Sequence, residues 1–185
     1  MIEISLGDRY AKSILELATE RGEVDKVQKD FILIESVCKS SPDFARMLKS
    51  PLIRADKKQA IIDEVFGGKL SEITKNLVQI VVRKKREMYL YDIAVRYLAL
   101  YDAKMNITRG VLISATKMSG QQIDAIKKIV EKEFSTTFEM EEAVDPALIG
   151  GFRLRIGDRL FDGSVSTKLR ELKQEFENNP YVKQV

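Results

Sequence analysis

The stretch VDPALIGGFRLRIGDRLFDGSV, residues 144–165, holds four of the chain's ten glycines and an alternating run of apolar and basic side chains. Glycines so close together raise the question of a phosphate-binding loop. A dinucleotide fingerprint requires G-x-G-x-x-G between a strand and a helix, and a P-loop requires G-x-x-x-x-G-K-[ST]. Gly150 and Gly151 are adjacent and precede a strand pattern, so neither motif is present. The glycines therefore indicate turns rather than a nucleotide site.

Each turn residue of this stretch has a predicted structural role. Asp145, which precedes a proline, starts a turn. Gly150 and Gly151 allow positive φ or a close approach to another backbone, and Gly157 belongs to a two-residue hairpin loop. Gly163 joins the second strand of the hairpin to a helix. We therefore expect replacement of Gly151 by valine to lower stability rather than to remove a chemical step.

The hairpin belongs to a small C-terminal α/β domain over residues 106–185. Alternation with period two predicts its strands, and Ser119 with Gln122 forms a capping-box signature that starts a helix. Arg153 and Arg155 share the polar face of one strand. About four strands and two helices are expected: strands 110–115, 138–144, 152–156 and 159–162, and helices after Ser119 and over 164–177.

Residues 1–105 instead show apolar side chains at helical spacing. Val27, Phe31, Ile34 and Cys38 lie four, three and four residues apart, which places them on one helix face. Ser-Pro and Gly-Gly pairs separate successive helical segments. The expected helices cover 5–21, 24–39, 42–49, 55–66, 70–84 and 88–105. The sequence thus predicts an α+β protein, an N-terminal six-helix bundle followed by the α/β domain.

Composition excludes several kinds of active site. The 185 residues include no histidine and one cysteine, Cys38. Ser-His-Asp and Cys-His catalysis need an imidazole, and a disulfide or cysteine-rich metal site needs more thiols. Asp, Glu, Lys or Tyr chemistry stays open, but no catalytic, cofactor-binding or metal-ligating residue is expected. The lack of a secretory signal and of an apolar run of ~18 residues predicts a cytosolic or comparable location.

Charge is nearly balanced along the chain. The net charge is +3, from 31 basic and 28 acidic residues, which is weaker than a nucleic-acid binder usually shows. The one conspicuous run is Arg83-Lys84-Lys85-Arg86. It could bind nucleic acid, an anionic lipid surface or an acidic partner. It could equally be a solvated helix end whose cations complement the helix dipole.

The glycine-containing stretch also carries a family resemblance. DPALIGGFRLRIGDRLFDGSV (145–165) resembles the signature of the delta subunit of F-type ATP synthase, the bacterial counterpart of the mitochondrial oligomycin-sensitivity-conferring subunit. RYAKSILELA (9–18) is similar to the first helix of that family, and NLVQIVVRKKR (76–86) to its fifth. ISATKMSGQQI (113–123) resembles its strand, turn and capped helix. The resemblance covers nearly the full length.

Some positions depart from the family pattern. The family commonly has Asn-Gly-Arg after the fifth helix, whereas Lys84-Lys85-Arg86 stands there in this chain and keeps only the arginine. Residues 178–185 match no motif of the family.

The resemblance implies a non-catalytic function. A delta subunit couples the top of the catalytic head to the peripheral stalk, so that proton-driven rotation yields ATP synthesis. The implied partners are the alpha subunits for the helical domain and the b-subunit dimer for the C-terminal domain. No cofactor, nucleic acid or small-molecule substrate is implied, and membrane association comes only through the complex, on the cytoplasmic side of the inner (plasma) membrane. The alternatives are a soluble adaptor or RNA-associated module that uses residues 83–86 and, third, a catalytic protein.

By resemblance, a groove between the first and fifth helices binds the N-terminal helix of an alpha subunit. On both helices the apolar side chains cover a wider face than packing against one core requires, although each residue alone could simply fill the bundle core. The candidates on the two helices are Tyr10, Ala11, Ile14, Leu15, Ala18, Leu77, Val78 and Val81. The candidates for the stalk are Arg153 and Arg155, which are expected to face an acidic partner or solvent.

Overall fold

The computed structural model describes residues 6–178, which divide between Met105 and Asn106 into two compact units. Helices fill the first unit, whereas the second contains a sheet and two helices. The α+β class predicted from the sequence is therefore confirmed. Residue 5, where the first helix was expected to begin, and the tail at 179–185 lie outside the described residues.

The N-terminal unit is helical wherever the apolar spacing of the sequence is helical. Within the described residues, helix ends differ from the predicted ones by at most two residues. The elements are α1 (Leu6–Glu20), α2 (Val24–Ser40), α3 (Pro42–Lys49), α4 (Ala55–Phe66), α5 (Glu72–Arg83), a 3₁₀ turn (Glu87–Tyr89) and α6 (Leu90–Met105). The 3₁₀ turn takes two residues that the sequence pattern assigns to α6.

Serine side chains cap two of these helices at the predicted breaks. The Ser41 hydroxyl accepts a hydrogen bond from the Phe44 N–H at 3.3 Å, with Pro42 in the first turn of α3. The Ser71 hydroxyl accepts from the Thr74 N–H at 3.4 Å and caps α5. Such caps satisfy backbone donors that the first helical turn leaves unpaired, so α3 and α5 begin directly after their serines.

The core of the N-terminal unit is built around α6, which packs against α1 and α2. Phe31 of α2 stacks on Tyr97 of α6 with ring centroids 4.4 Å apart, and both side chains are fully buried. Ile34 and Ile93 are fully buried in the same unit. Burying one such side chain contributes about 1.5–3 kcal/mol, so this core fixes α6 relative to its two neighbours.

The C-terminal unit is a four-stranded sheet with two helices. Its elements are β1 (Ile107–Ser114), α7 (Gly120–Phe134), β2 (Thr137–Val144), β3 (Phe152–Ile156), β4 (Arg159–Asp162) and α8 (Val165–Asn178). The strand order is β2-β1-β3-β4, in which β1 and β2 are parallel and the other neighbours are antiparallel. Helix α7 is the crossover that a parallel pair requires, and it begins with the predicted Ser119–Gln122 capping box.

One face of the sheet packs with α7 into the core of this unit. Gly110 of β1 makes this packing possible, because a Cβ there would lie 2.7 Å from the Phe138 ring. The local sequence gives no sign of this requirement. The buried core residues are Leu112, Val130, Phe138, Leu154 and Ile156.

The chain leaves β2 through the predicted turn at Asp145. The Asp145 carboxylate accepts a hydrogen bond from the Ala147 N–H at 3.0 Å. The Asp145 N–H donates to the Ser114 carbonyl at 2.9 Å. An aspartate that accepts from the backbone two residues onward forms an Asx turn, so the turn is held by its own side chain and by β1.

Candidate functional site

The candidate groove residues lie on α1 and α5, two helices that contact each other. Tyr10 and Leu15 are half-buried. The other candidates are fully or almost fully buried: Ala11, Ile14, Ala18, Leu77, Val78 and Val81. Side chains that pack in a core hold two helices at a fixed spacing but present little surface of their own. The structure therefore places most of the candidates beneath the surface rather than on it.

Two apolar side chains on the same helices are exposed. Leu17 of α1 is 36% exposed and Ile80 of α5 is 45% exposed. Helical spacing groups Leu17 with Ile14 and Ile80 with Leu77, yet one member of each pair is buried and the other is not. Periodicity alone does not separate them, because the burial of each residue depends on which neighbouring helix covers it.

A hydrogen bond ties the end of α5 to α1. Arg86 Nη1 donates to Tyr10 Oη at 3.0 Å. Arg86 is the residue that this chain keeps from the Asn-Gly-Arg pattern of the resembled family. The contact gives that arginine a structural role at one end of the helix pair, and it fixes the position of the candidate Tyr10.

Lys85 adopts a left-handed backbone conformation, with φ at +57°. Its N–H donates to the Val82 carbonyl and the Arg86 N–H donates to the Val81 carbonyl, each at 2.9 Å. These two bonds form a Schellman helix end, whose left-handed position glycine takes without steric cost. A glycine at this position would adopt the conformation freely. Lysine holds the same conformation here at an energetic cost.

The start of α5 is fixed by a buried carboxylate on α2. Asp30 accepts hydrogen bonds from both the N–H of Ser71, at 2.9 Å, and its hydroxyl, at 2.5 Å. A negative charge at a helix N-terminus complements the helix dipole. Sequence reasoning missed Asp30 because its partner is 41 positions away and no local pattern joins the two residues.

The paired glycines of residues 144–165 lie against the start of α8. Gly151 has φ at +81°, and a Cβ there would overlap the Gly163 carbonyl oxygen. The Val165 N–H donates to the Gly150 carbonyl at 3.0 Å. Gly157, in the hairpin loop, has φ at +55°. These glycines serve backbone conformation and close approach.

Asp162 links β4, β3 and α8. Its carboxylate accepts from the Ser164 N–H at 2.9 Å, the Thr167 hydroxyl at 3.0 Å and Arg153 Nε at 3.1 Å. Hydrogen bonding from Ser164 is the main reason that the pKa of Asp162 falls to about 2, with Thr167 and the charge of Arg153 adding to it. The carboxylate therefore stays ionised and acts as a structural hub.

The two stalk candidates differ in their surroundings. Arg153 is half-buried and pairs with Asp162 across the hairpin. Arg155 is exposed and lines a cleft of about 420 Å³ together with Arg109 and Glu139, which pair with each other at 3.1 Å. Arg155 is thus the arginine that a partner can reach, whereas Arg153 serves the hairpin.

Helix α8 has an apolar face that the described residues leave largely uncovered. Val165, Leu169, Leu172 and Phe176 are 39%, 56%, 49% and 78% exposed. Their spacing of four, three and four residues is that of a coiled-coil seam. An uncovered seam of this kind fits a partner helix.

Metal ligands, the cysteine thiol and apolar helices can each be described for this part of the chain. Within residues 6–178, no group of three or more potential ligand side chains could hold a metal ion. Burial, followed by the charge of Glu35, raises the pKa of the Cys38 thiol to about 11, which makes it a poor nucleophile. No helix in the same range is long and apolar enough to cross a membrane.

Comparison with known proteins identifies relatives over nearly the whole chain. Residues 6–176 match the family described as ATP synthase delta (OSCP) subunit. The ATP synthase subunit delta of Alkaliphilus oremlandii is 34% identical, over 90% of this chain and 93% of that protein. The ATP synthase subunit delta of Cytophaga hutchinsonii is also 34% identical, over 95% of this chain and 96% of that protein.

A solved structure shares the fold. It is a chain of the Toxoplasma gondii mitochondrial ATP synthase hexamer, determined by cryo-EM, with a TM-score of 0.69 and 21% identity over 95% of this chain and 99% of that chain. At that identity the likeness shows the fold alone, whereas the family match and the relatives at 34% identity show descent. The chain therefore belongs to the ATP synthase delta (OSCP) subunit family, a non-catalytic stator component of ATP synthase.

Proposed function

We propose that this chain joins the catalytic head of ATP synthase to its peripheral stalk, so that the head does not turn with the rotor. The N-terminal unit, acting as one six-helix bundle, binds N-terminal helical segments of the alpha subunits. The C-terminal unit binds the b-subunit dimer. The observation that carries the proposal is that each unit of a delta-family chain leaves apolar helix side chains exposed. Attachment to the cytoplasmic side of the membrane comes through the complex alone.

The groove between α1 and α5 is the proposed site for the alpha segment. The proposed anchors are the exposed apolar side chains of these two helices, Leu17 and Ile80, whereas candidates such as Ile14 and Val81 are buried. An amphipathic helix binds such a groove through anchors at three- and four-residue spacing. Each anchor buried in the contact contributes about 1.5–3 kcal/mol, so a few anchors give specific binding without catalytic groups.

The apolar seam of α8 is the proposed site for a helix of the b-subunit dimer. The seam runs from Val165 to Phe176, which is about three helical turns, and its apolar residues have coiled-coil spacing. Arg155 on β3 offers an exposed positive charge for an acidic residue of the same partner. Many packed contacts of this kind resist torque better than one strong contact, which suits a stator.

The groove is tested by calorimetric titration of the full chain with a peptide that covers the N-terminal helix of the alpha subunit. We expect one-to-one binding that survives about 200 mM salt, because apolar contacts are not screened. Ile80→Asp should raise Kd about tenfold or more, since the bound peptide would bury a charged carboxylate in place of an apolar anchor. Ile32→Asp on α2 is the matched control, because Ile32 is 41% exposed, close to the 45% of Ile80, and lies on another helix.

If Ile80→Asp and Ile32→Asp weaken binding of the alpha-subunit peptide equally, the assignment of the site to the α1/α5 groove is wrong. Absence of binding by a well-folded chain would remove the alpha-segment site from the N-terminal unit altogether.

The α8 seam is tested separately with a soluble segment of the b-subunit dimer. Leu169→Asp should abolish binding, whereas Ile129→Asp on α7, where the side chain is 68% exposed, should leave it intact. Binding that tolerates Leu169→Asp would place the stalk contact elsewhere on the C-terminal unit.

The RNA-associated alternative receives less support from the geometry. All four residues of the run 83–86 are exposed, but Arg86 is held by Tyr10. Four phosphate contacts would give a slope of about −3.6 in a plot of log K against log salt. Measurable binding of a uridine oligonucleotide with that slope would bring the alternative back.

A further inference from the structure

We propose that the N-terminal unit has a second binding site, for an acidic and partly apolar polypeptide segment of a partner. The site is a cleft of about 660 Å³ between the loop at residues 49–56 and residues 85–88, the basic cleft. It uses none of the exposed anchors of the α1/α5 groove. The two site assignments can therefore be tested independently.

Positive charge dominates the surface of the basic cleft. Lys49, Arg54 and Lys85 line it, and all three are exposed. Asp56, which pairs with Arg54 at 3.2 Å, is the exposed carboxylate among the described residues that line it. The excess of cations favours a ligand that carries at least two carboxylates.

A buried ion pair holds the cleft in shape. Lys58 Nζ lies 2.6 Å from Glu87 Oε1 and donates to the Leu48 carbonyl at 2.9 Å. The Lys58 and Glu87 side chains are 3% and 10% exposed, and their charges cancel. The pair joins the end of α3, the body of α4 and the 3₁₀ turn. The elements on either side of the cleft are thus joined before a ligand arrives, which lowers the entropic cost of binding.

The backbone strain at Lys85 points to the same place. Its left-handed conformation, φ +57°, is one that glycine adopts freely and lysine does not. When a residue other than glycine holds a conformation that glycine would adopt at lower cost, its side chain is a candidate for a functional role. The lysine side chain lines the basic cleft, so the strained position supplies one of its three exposed cations.

Apolar side chains at the cleft favour a polypeptide over a nucleic acid. Leu52 is 91% exposed and Met88 is 46% exposed, and both line the cleft. Among the described residues that line it, no aromatic ring is available for base stacking, the contact on which single-stranded nucleic-acid binding relies. A polypeptide segment with carboxylates beside leucine-like side chains could pair with the cations of the cleft and cover its apolar side chains.

The test is an NMR titration of the isotope-labelled full chain with two synthetic peptides. One alternates aspartate or glutamate with leucine, and the other has asparagine and glutamine at every acidic position. At about 150 mM salt, where distant charges are screened, we expect the acidic peptide to shift the backbone amides of residues 49–56 and 85–88. The neutral peptide should bind at least about tenfold more weakly.

Two variants separate binding from stability. Lys85→Gly relieves the backbone strain and removes a cation, so Tm should rise while the Kd of the acidic peptide increases about threefold. Arg54→Glu should increase Kd about fivefold or more. Lys57→Glu is the matched control, because Lys57 is an exposed neighbour that does not line the cleft, and it should change Kd less than twofold.

The outcomes are distinct from those of the α1/α5 groove. Ile80→Asp should leave binding of the acidic peptide unchanged. Equal effects of Lys57→Glu and Arg54→Glu would show a general charge effect and overturn the proposal. So would an absence of shifts, shifts confined to α1 and α5, or tighter binding of a uridine oligonucleotide to the same residues.

Discussion

Replacement of Gly151 by alanine tests whether the close approach between the paired glycines and α8 is rigid. Gly151 combines φ +81° with a site where a Cβ would overlap the Gly163 carbonyl oxygen and lie 2.9 Å from Ser164 Cα. Gly157 also has positive φ, +55°, but nothing lies within 4 Å of its Cβ position. Gly120 has open space and no positive φ. The three positions therefore separate backbone strain from steric overlap.

The expected losses of unfolding free energy follow from this comparison. Gly120→Ala should leave stability unchanged or raise it by about 0.4–1 kcal/mol, because alanine restricts the unfolded chain. Gly157→Ala should cost about 1–2 kcal/mol for the left-handed backbone. Gly151→Ala should cost the same amount plus about 1–3 kcal/mol, because two backbone segments have to move apart. Its total is about 2–5 kcal/mol.

Urea unfolding of the full chain, followed by circular dichroism, gives the midpoints of the three variants. If the two units unfold separately, one two-state curve does not describe them. Hydrogen exchange at Gly163 and Val165 then reports on the site itself, because their N–H groups donate to the carbonyls of Phe152 and Gly150 at 2.9 and 3.0 Å.

Equal losses for Gly151→Ala and Gly157→Ala would refute the reasoning, because they would show that the contact relaxes without cost. A Gly151→Ala chain with unchanged stability that no longer binds the b-subunit segment would instead assign Gly151 to the partner surface.

Three further predictions follow from buried or hydrogen-bonded side chains. Because the pKa of Asp162 in the folded chain is lowered to about 2, its contribution to stability is present above about pH 4 and is lost as pH falls toward 2. Asp162→Asn should therefore flatten that part of a Tm-against-pH curve. Cys38, with its pKa raised to about 11, should react with iodoacetamide at pH 8 about a hundredfold more slowly than in the urea-unfolded chain, as mass spectrometry can follow. Asp30→Ala should destabilise the N-terminal unit by about 1.5–3 kcal/mol in urea unfolding, because Ser71 loses a charged acceptor, and a change below about 0.5 kcal/mol would contradict this.

The turn chemistry of residues 144–165 was predictable because turn residues act locally. An aspartate before proline favours a turn, and a glycine in a two-residue loop permits the positive φ that the loop needs, in any context. The partner of Gly151 was not predictable, because the Gly163 carbonyl reaches it only after β3 and β4 have paired. The sequence thus indicated that the glycines serve the backbone, and the structure identified what each of them approaches.

The candidate groove shows a second limit. Apolar spacing predicted the helices α1 and α5 on which the candidates lie, but it could not distinguish the buried Ile14 from the exposed Leu17. Both lie within one apolar stripe, and their exposure differs because neighbouring helices cover only part of that stripe. Arg153 shows the same limit in the sheet, because its partner Asp162 lies on the adjacent strand.

The sequence by itself determined the helices, the turns, the family and three of the four strands to within one residue, because these depend on periodicity and motifs within short segments. The first strand begins at Ile107, three residues before the predicted strand at 110–115. Only the tertiary structure decided the strand order β2-β1-β3-β4 and which apolar side chains remain exposed. It also decided the Asp30–Ser71 and Lys58–Glu87 contacts, whose residues are 41 and 29 positions apart. Such contacts depend on which elements pack together, and packing is a property of the whole unit rather than of any local pattern.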